Sequence, residues 1–492
     1  MTVIRPNSIS GINSITANGG DINLFRADGT KADIPIVNNI TAGVVTATKF
    51  VGQIDATSAT FSGNATVTGN LGVGGVLTYE DVTNIDSIGI ITARAGINVS
   101  GGTITGDGSG LTGVGLGTDG SANTSGIITA TAFVPTTGQL SHRNIIINGA
   151  MNVAQRATST TSNGYGFVDR FQTNVASLST GGNVTRSQQS LSSSDTGPWQ
   201  AGFRKYARMA TVAAGTASAG STIDFYTHIE AQDIANSGWD YTSSSGKITL
   251  SFWFRCSANQ TFYTYVRSRD GTQQGYTFAF TASGNNTWTK ITHTIPGNTN
   301  ITFDNDNEVG LSLYWILYYG TTYTNNKTLN TWAEHSGSNT SPDMQSTWLT
   351  SGAATWDITG VQLEVGPVAT PFEHRSFGDE LLRCQRYCYA DRGSDDYHAV
   401  AQGHFNGSST GITMLYTPVC MRAAPTLSYP VGTWIVSGDS GTLNQSNIYP
   451  TDNIAEVNAF QIRTAISGGQ SGEGFLLRTS SAGHTWILDA EL

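Results

Sequence analysis

The tryptophan residues divide this chain more sharply than any other sequence feature. None of the ten occurs before Trp199, and eight lie between Trp199 and Trp356. Large aromatic side chains contribute much of the buried area of a globular core. The first 140 residues therefore have little with which to build one, since their only aromatic residues are Phe25, Phe50, Phe61, Tyr79 and Phe133.

Short glycine-punctuated segments recur in residues 1–140. AGVVTAT at 42–48 returns as IGIITAR at 88–94 and as SGIITAT at 125–131. β runs this short cannot bury a face alone and need neighbouring strands, in the same chain or in partner chains. The pattern predicts a fibrous shaft whose strands are shared by three chains. The alternative is a disordered low-complexity leader, although the Ile and Val content is higher than disordered segments usually have.

Residues 141–376 have the alternation of β-strands. In 248–254 the apolar residues Ile248, Leu250, Phe252 and Phe254 point to one face, and 311–317 repeats the pattern around Trp315. Strands at this spacing, separated by turns, are typical of an antiparallel β-sandwich.

The spacing of apolar residues changes from that of strands to that of a helix after residue 376. Ser376 and Asp379 form an S-x-x-D box that favours a helix start, and the spacing of Leu381, Cys384 and Cys388 predicts one apolar helix face. A small terminal β knob, 377–492, follows. Its predicted strands are 399–405, 411–416, 426–429, 459–466, 474–478 and 485–488.

Composition limits the function classes. Charged residues make up only 12% and the net charge is −10, so no basic patch is predicted for nucleic acid and no attraction to an anionic membrane. We expect no membrane insertion. Four cysteines in so long a chain predict folding in a reducing cytoplasm rather than a disulfide framework. HExxH, GxSxG and Walker motifs are lacking, which predicts a protein without catalysis.

Exposed aromatic and imidazole side chains are the candidate ligand-binding residues, because flat rings stack on the C–H faces of sugars. Packing against another subunit or beneath a loop is the alternative for those in the sandwich, and ordinary exposed loops for those in the knob. The candidates are Trp253, Tyr263, Tyr265, Tyr314, Tyr318, Trp332, Trp348, Tyr397, His398, His404 and Trp434.

A structural calcium ion is the one cofactor that the sequence suggests. Asp304, Asp306 and Glu308 place oxygen ligands at alternate positions, although the glycine of an EF-hand loop is replaced by Val309. An acidic turn exposed to solvent is the alternative. Asp304 and Glu308 would form a glycosidase pair only at a separation that sequence does not give. Cys384 and Cys388, at CxxxC spacing, lack the second ligand pair of a zinc site.

Three segments carry a resemblance to bacteriophage proteins. GVQLEVG-x-x-ATPFEHRSFGDELLRCQRYCYA, residues 360–390, resembles the segment that closes the sandwich of many tail-fibre and receptor-binding proteins. Residues 103–114 resemble the Gly-Asp-Gly-Ser-x-Leu-Thr element of trimeric phage fibres, and 77–97 is similar to repeats of marine cyanophage structural proteins. Residues 144–149 and 357–366 resemble the first and last strands of jelly-roll carbohydrate-binding modules found in phage fibres, in which a calcium ion beside the closing strand would involve Asp357.

The resemblance implies a mainly β tail fibre: virion attachment and a trimeric shaft in 1–140, a jelly-roll-like carbohydrate-binding sandwich in 141–376 and the knob in 377–492. It implies a homotrimer made in the host cytoplasm, joined to other virion tail proteins through its N-terminal region. The fibre would adsorb to host surface polysaccharide such as lipopolysaccharide. A structural neck, capsid or decoration fibre without a receptor and a polysaccharide depolymerase are the alternatives.

Overall fold

The structure, a computed structural model, describes residues 14–18, 21–31, 49, 51, 53, 57–74, 141–178, 184–325, 327–392, 398–428, 434–438, 441–445, 453–465, 468–479 and 485–492. The chain divides into two compact units, Met1–Ala122 and Asn123–Leu492. The sandwich and the knob both belong to the second unit, and the predicted domain boundaries at 140 and 376 stay predictions.

The first unit contains one antiparallel hairpin, β1 (Ser14–Asn18) and β2 (Asp21–Phe25), within its described part. Residues 57–74 form neither helix nor strand within the single chain. They expose apolar side chains, with Phe61 68% and Leu71 67% accessible. The three repeats at 42–48, 88–94 and 125–131 lie outside the described residues, as do 103–114, so the trimeric shaft stays a prediction.

The sandwich consists of two six-stranded antiparallel sheets, as its alternation predicted. The first sheet has the order β13-β10-β9-β12-β7-β4 and the second β11-β8-β14-β6-β5-β3. The elements are β3 (Ser159–Thr160), β4 (Phe171–Ala176), β5 (Val184–Ser190), β6 (Lys205–Thr211), β7 (Thr222–Glu230), α1 (Ala231–Ala235), β8 (Lys247–Cys256), β9 (Asn259–Ser268), β10 (Gln274–Ser283), β11 (Thr289–Pro296), β12 (Val309–Tyr319), β13 (Trp332–Glu334), α2 (Thr347–Thr350) and β14 (Thr355–Val365).

The core lies between the two sheets. Phe252 of β8 and Trp315 of β12 are fully buried and meet at 5.7 Å between ring centroids, nearly edge to face. Strand alternation places every second residue on this inner face. The predicted inward positions of both strands are confirmed: Ile248, Leu250, Phe252, Phe254, Leu311, Leu313, Trp315 and Leu317 all belong to the core.

A β-bulge near the end of β12 alters the predicted facing of its last residues. The register with β7 shifts between Ile316 and Tyr318, and an extra residue in one strand turns the following side chains to the other face. Tyr318 therefore packs into the core and Tyr319 takes the outer face. The prediction that Tyr318 points outward is wrong for this reason.

The helix predicted at Ser376 is confirmed. α3 spans Phe377–Gln385, and the Ser376 hydroxyl accepts a hydrogen bond from the Asp379 amide at 3.1 Å. The helix ends before Cys388, which begins the next strand. The prediction that Cys384 and Cys388 share a helix face is therefore wrong. Both thiols are buried and free.

The remaining strands form a seven-stranded sheet, β20-β19-β23-β16-β17-β22-β21, and a three-stranded sheet, β15-β24-β18, with a second core. All six strands predicted for the knob are present, with ends that differ by at most one or two residues. The strands are β15 (Cys388–Arg392), β16 (Ala399–Phe405), β17 (Thr410–Tyr416), β18 (Thr426–Ser428), β19 (Trp434–Gly438), β20 (Gly441–Gln445), β21 (Asn453–Ala455), β22 (Ala459–Ala465), β23 (Gly474–Thr479) and β24 (Thr485–Asp489).

Buried ion pairs join the sandwich to the C-terminal segments. Glu230, fully buried at the end of β7, pairs with Arg386 after α3. Arg170 pairs with Glu491, and its guanidinium lies 3.4 Å from the centroid of the Tyr387 ring. No helix in the described part of the chain is long and apolar enough to span a membrane.

Candidate functional site

A row of three tyrosines crosses the outer face of the first sheet. Tyr265 of β9 is paired with Tyr314 of β12, which is in turn paired with Tyr226 of β7. The Tyr314 and Tyr226 rings are stacked, with centroids 4.8 Å apart and planes 24° apart, and Tyr265 lies 6.1 Å from Tyr314. The three strands thus present a continuous aromatic strip.

Alternation along each strand produces this strip, because the residues on either side of each tyrosine point into the core. Tyr314, for example, lies between Leu313 and Trp315, which are both fully buried. Beside the strip, Gly275 of β10 leaves room for the Tyr265 ring, since a Cβ atom at Gly275 would lie 2.3 Å from Tyr265 Oη. An alanine here would displace the ring.

Tyr265 and Tyr314 of this strip form the floor of a cleft with a volume of about 210 Å³, and Tyr226 extends the row by stacking on Tyr314. Loops that follow β12 and β13 contribute its walls. The lining residues are Asn174, Thr222, Asp224, Tyr265, Arg267, Tyr314, Tyr319, Tyr323, His335, Gly337 and Thr340.

A carboxyl group lies at one end of the cleft. The Tyr319 hydroxyl donates a hydrogen bond to Asp224 Oδ2 at 3.0 Å, and Asn174 Nδ2 approaches the same oxygen at 3.5 Å. Burial raises the pKa of Asp224 to about 7, because desolvation penalises the carboxylate more than these two donors stabilise it. Asp224 is therefore able to accept or to donate a hydrogen bond near neutral pH.

Basic groups lie at the other end. Arg267 Nε donates to Gln273 Oε1 at 2.8 Å, and Arg269 Nη1 lies 3.5 Å from Tyr314 Oη. His335 Nδ1 and Tyr265 Oη are 2.6 Å apart. Burial, together with the nearby cations, lowers the pKa of His335 to about 4, so its imidazole is neutral at pH 7.

This arrangement provides flat apolar rings between polar groups that donate and accept hydrogen bonds. Saccharides present the complementary surfaces, apolar C–H faces edged by hydroxyl groups. Of the residues predicted from sequence, the structure brings Tyr263, Tyr265 and Tyr314 together on this sheet face. Tyr263 and Tyr265 are only 8% and 2% exposed, so their predicted exposure is corrected, whereas Tyr314 is partly exposed.

The sandwich tryptophans predicted as ligand candidates lie elsewhere. Trp332 is 8% exposed and its indole donates to the Pro296 carbonyl at 2.6 Å. Trp253 lies on the outer face of the second sheet, where it packs against a cluster that contains Phe203, Tyr206 and Trp288. Trp348, expected in an exposed loop, lies in α2 and is fully buried in the core, so that expectation is corrected.

The knob candidates do not form a common site with the cleft, because they belong to other sheets. Trp434 is 1% exposed and packs edge to face on Trp486, so its predicted exposure is also corrected. His398 Nε2 lies 3.2 Å from Asp391 Oδ1, and His404 is exposed on β16. Tyr397 lies outside the described residues.

Asp357 is not placed to join a calcium site with Asp304, Asp306 and Glu308. Its buried carboxylate accepts hydrogen bonds from Arg208 Nε at 2.8 Å and Arg255 Nε at 2.7 Å. Two guanidinium groups already neutralise it, and a divalent cation would have to displace them.

The acidic turn itself uses its oxygens locally, since Asp306 Oδ1 accepts the Glu308 amide at 2.9 Å. Within the described residues, no three His, Cys, Asp or Glu side chains are arranged to hold a metal ion. Calcium at Asp304, Asp306 and Glu308 stays a prediction.

Sequence reasoning missed several residues of the cleft and of its tyrosine row: Asp224, Tyr226, Arg267, Tyr319, Tyr323 and His335. A signal was available for two of them. In TIDFYTHIE of β7, Ile223 and Phe225 are core residues, so the same alternation that identified β8 and β12 places Asp224 and Tyr226 on the outer face.

A second cavity, of about 390 Å³, lies between the start of the sandwich and α3. Its lining includes Arg143, Arg375 and Arg383. Arg143 and Arg375 donate to backbone carbonyls, for example Arg375 Nη1 to Ile146 O at 3.2 Å. These two side chains hold the entering chain in place, and the cavity has no aromatic floor comparable with that of the cleft.

No protein-family model and no curated protein matches the chain. Among solved structures, the enzymatically active domain of tailspike protein 4 of bacteriophage CBA120 is 9% identical at a TM-score of 0.24, over 45% of this chain and 21% of that chain. A family 11 carbohydrate-binding module of Clostridium thermocellum is 9% identical at a TM-score of 0.21, over 44% and 98%. The CBM22-1 xylan-binding domain from Paenibacillus barcinonensis is 12% identical at a TM-score of 0.20, over 39% and 86%. Likenesses at such TM-scores carry no argument about this chain.

Proposed function

We propose that the tyrosine-floored cleft of the first sheet binds a saccharide. The observation that carries the proposal is the row Tyr265, Tyr314 and Tyr226, contributed by three adjacent strands and flanked at its ends by Arg267 and Asp224. Stacked rings supply apolar area to a sugar face, and the polar groups at each end fix its orientation.

We further propose that the chain is a bacteriophage fibre that adsorbs to host surface polysaccharide, such as lipopolysaccharide, without cleaving it. The glycine-punctuated repeats of 1–140 and the segment 360–390 support this assignment by resemblance. The fibre is proposed to be made in the host cytoplasm, to reside in the virion and to join other tail proteins through its N-terminal region.

A homotrimer is part of the proposal. The apolar side chains exposed along 57–74 support it, because partner chains would cover them. Three weak sites on one fibre would also bind a cell surface with high avidity.

Binding of the full-length protein to host cells and to host-derived polysaccharide, compared with Tyr314→Ala, tests the proposal. Removal of a central aromatic contact typically costs about 2 kcal/mol, so we expect about 30-fold weaker binding. Tyr416→Ala is the matched control, because Tyr416 is 71% exposed on the knob. Equal binding by Tyr314→Ala and the wild type, with both correctly folded, would remove the cleft from the function.

The other function classes give different results in the same assay. A structural neck, capsid or decoration fibre would bind neither cells nor polysaccharide. A depolymerase would release reducing sugar from the polysaccharide, whereas the proposed fibre leaves it intact.

A further inference from the structure

Three cations lie in or beside the basic end of the cleft and form no ion pair with a described residue, although Arg269 is next to Asp270 in the chain. Arg267 donates to the neutral Gln273, Arg269 approaches the Tyr314 hydroxyl, and Lys327 Nζ lies 3.4 Å from the Gly275 carbonyl. Among the residues that the structure describes, none of the carboxylates lies within ion-pair distance of these three. Elsewhere in the same sandwich, Arg255 has carboxylate partners.

Burial makes this excess of positive charge costly. Lys327 is only 6% exposed and lies 5.8 Å from the centroid of the Tyr265 ring. Burial lowers the pKa of Lys327 and, together with Arg269, that of Arg267. Because the chain as a whole carries a net charge of −10, composition does not account for a local cluster of cations. A buried cation without a partner is stabilised when an anion reaches it.

The cations and the carboxyl group lie at opposite ends of the cleft. On β12, Ser312 is paired with Arg267, and Ile316 is paired with Asp224. The four-residue separation places the basic and acidic ends about 13 Å apart along the strand direction. The tyrosine row lies between them, so a sugar on the rings would meet cations at one end only.

We propose that the cleft is specific for an acidic saccharide, whose carboxylate or sulfate group contacts Arg267 and Arg269 while its ring stacks on the tyrosine row. Asp224 and Asn174 then bind hydroxyl groups of the neighbouring sugar. This inference rests on the proposed saccharide binding and names its ligand class.

Isothermal titration of the full-length protein with three oligosaccharides tests the inference: oligogalacturonate, its methyl ester as the neutral probe of the same linkage, and a sulfated galacto-oligosaccharide. We expect at least one acidic probe to bind roughly ten-fold or more tightly than the neutral one, the factor expected for one charged hydrogen bond. The tighter acidic probe identifies the anion. Its affinity falls as salt is added.

Arg267→Gln and, independently, Arg269→Gln should each weaken binding of the acidic probe by roughly ten-fold and weaken binding of the neutral probe by a clearly smaller factor. Arg269 lies beyond the end of β9, so its variant remains informative if Arg267→Gln unfolds the sheet. Lys290→Gln, which removes one exposed charge on β11, is the control and should change neither affinity.

Equal or tighter binding of the neutral probe, lost in Tyr314→Ala, would overturn the acidic specificity while saccharide binding stands. If none of the three probes binds, this inference is overturned. The proposed function is then tested by the host polysaccharide experiment alone. An acidic probe that binds equally to wild type and to both arginine variants would also overturn it.

Discussion

Replacement of Glu230 by glutamine tests how strongly the sandwich holds the C-terminal segment. The fully buried Glu230 carboxylate accepts hydrogen bonds from Arg386 Nε at 2.7 Å and Nη2 at 2.8 Å, and from the Tyr387 hydroxyl. Glutamine keeps the shape but removes the charge and directs an NH₂ group at one of these donors. Loss of one partner of a buried ion pair costs about 3–5 kcal/mol.

The expected loss of stability is smaller here because the Arg386 side chain is 32% exposed and regains water when its partner is lost. We expect Glu230→Gln to lower the free energy of unfolding by about 2–3 kcal/mol. Equilibrium urea unfolding of the full-length protein, extrapolated to water, gives this difference. A double-mutant cycle with Arg386→Gln should give a coupling energy above about 1 kcal/mol.

Glu308→Gln is the matched control for this experiment. Glu308 pairs with Arg422 at 3.4 Å, but its side chain is 69% exposed. An exposed pair of this kind contributes less than about 1 kcal/mol. If Glu230→Gln and Glu308→Gln change the unfolding free energy equally, or if the cycle shows no coupling, the argument that burial gives the Glu230 pair its strength is refuted.

Two further predictions concern titration and thiol reactivity. The pKa of Asp224 is raised by burial from 3.8 to about 7, so its stabilising contribution is complete below about pH 4 and is lost as the pH rises through 7. Unfolding experiments between pH 4 and 8 should show this loss in the wild type and a flatter profile in Asp224→Asn; equal slopes would contradict it. Cys420 is exposed, whereas Cys256, Cys384 and Cys388 are buried, and burial raises the pKa of all three buried thiols. A thiol reagent should therefore label Cys420 quickly in the native protein and the other three only after unfolding, and rapid labelling of two or more would show that the described packing is wrong.

Local patterns in the sequence were sufficient for the strands and for the start of the helix. The period-two alternation of 248–254 and 311–317 reports burial on one face directly. The Ser376 cap is a local hydrogen bond between residues three apart, so its signature is local too. Two predictions from local spacing were wrong, because α3 ends before Cys388 and a bulge turns Tyr318 into the core.

Predictions of exposure failed where distant segments cover a residue. Trp348 lies in a short helix that packs on β9, and its amide donates to Gln260 at 2.9 Å. Asp357 is paired with arginines 149 and 102 residues earlier in the chain. Neither partner is visible in the sequence around the residue, because sheet order rather than chain order brings them together.

Prediction of the cleft requires both local alternation and the pairing of distant strands. Alternation alone places Tyr265, Tyr314 and Tyr226 on outer faces, yet only the antiparallel registers align them into one row. One extra residue in the β12 bulge then exchanges Tyr318 for Tyr319, which is the tyrosine that holds Asp224. Because Leu317 is the extra residue, deletion of Leu317 would leave Tyr318 in the core and Tyr319 beside Asp224, whereas a regular strand that kept Leu317 would turn Tyr318 to the outer face and remove the donor to Asp224. The acidic end of the site is thus fixed by a strand irregularity that hydrophobic patterning does not reveal.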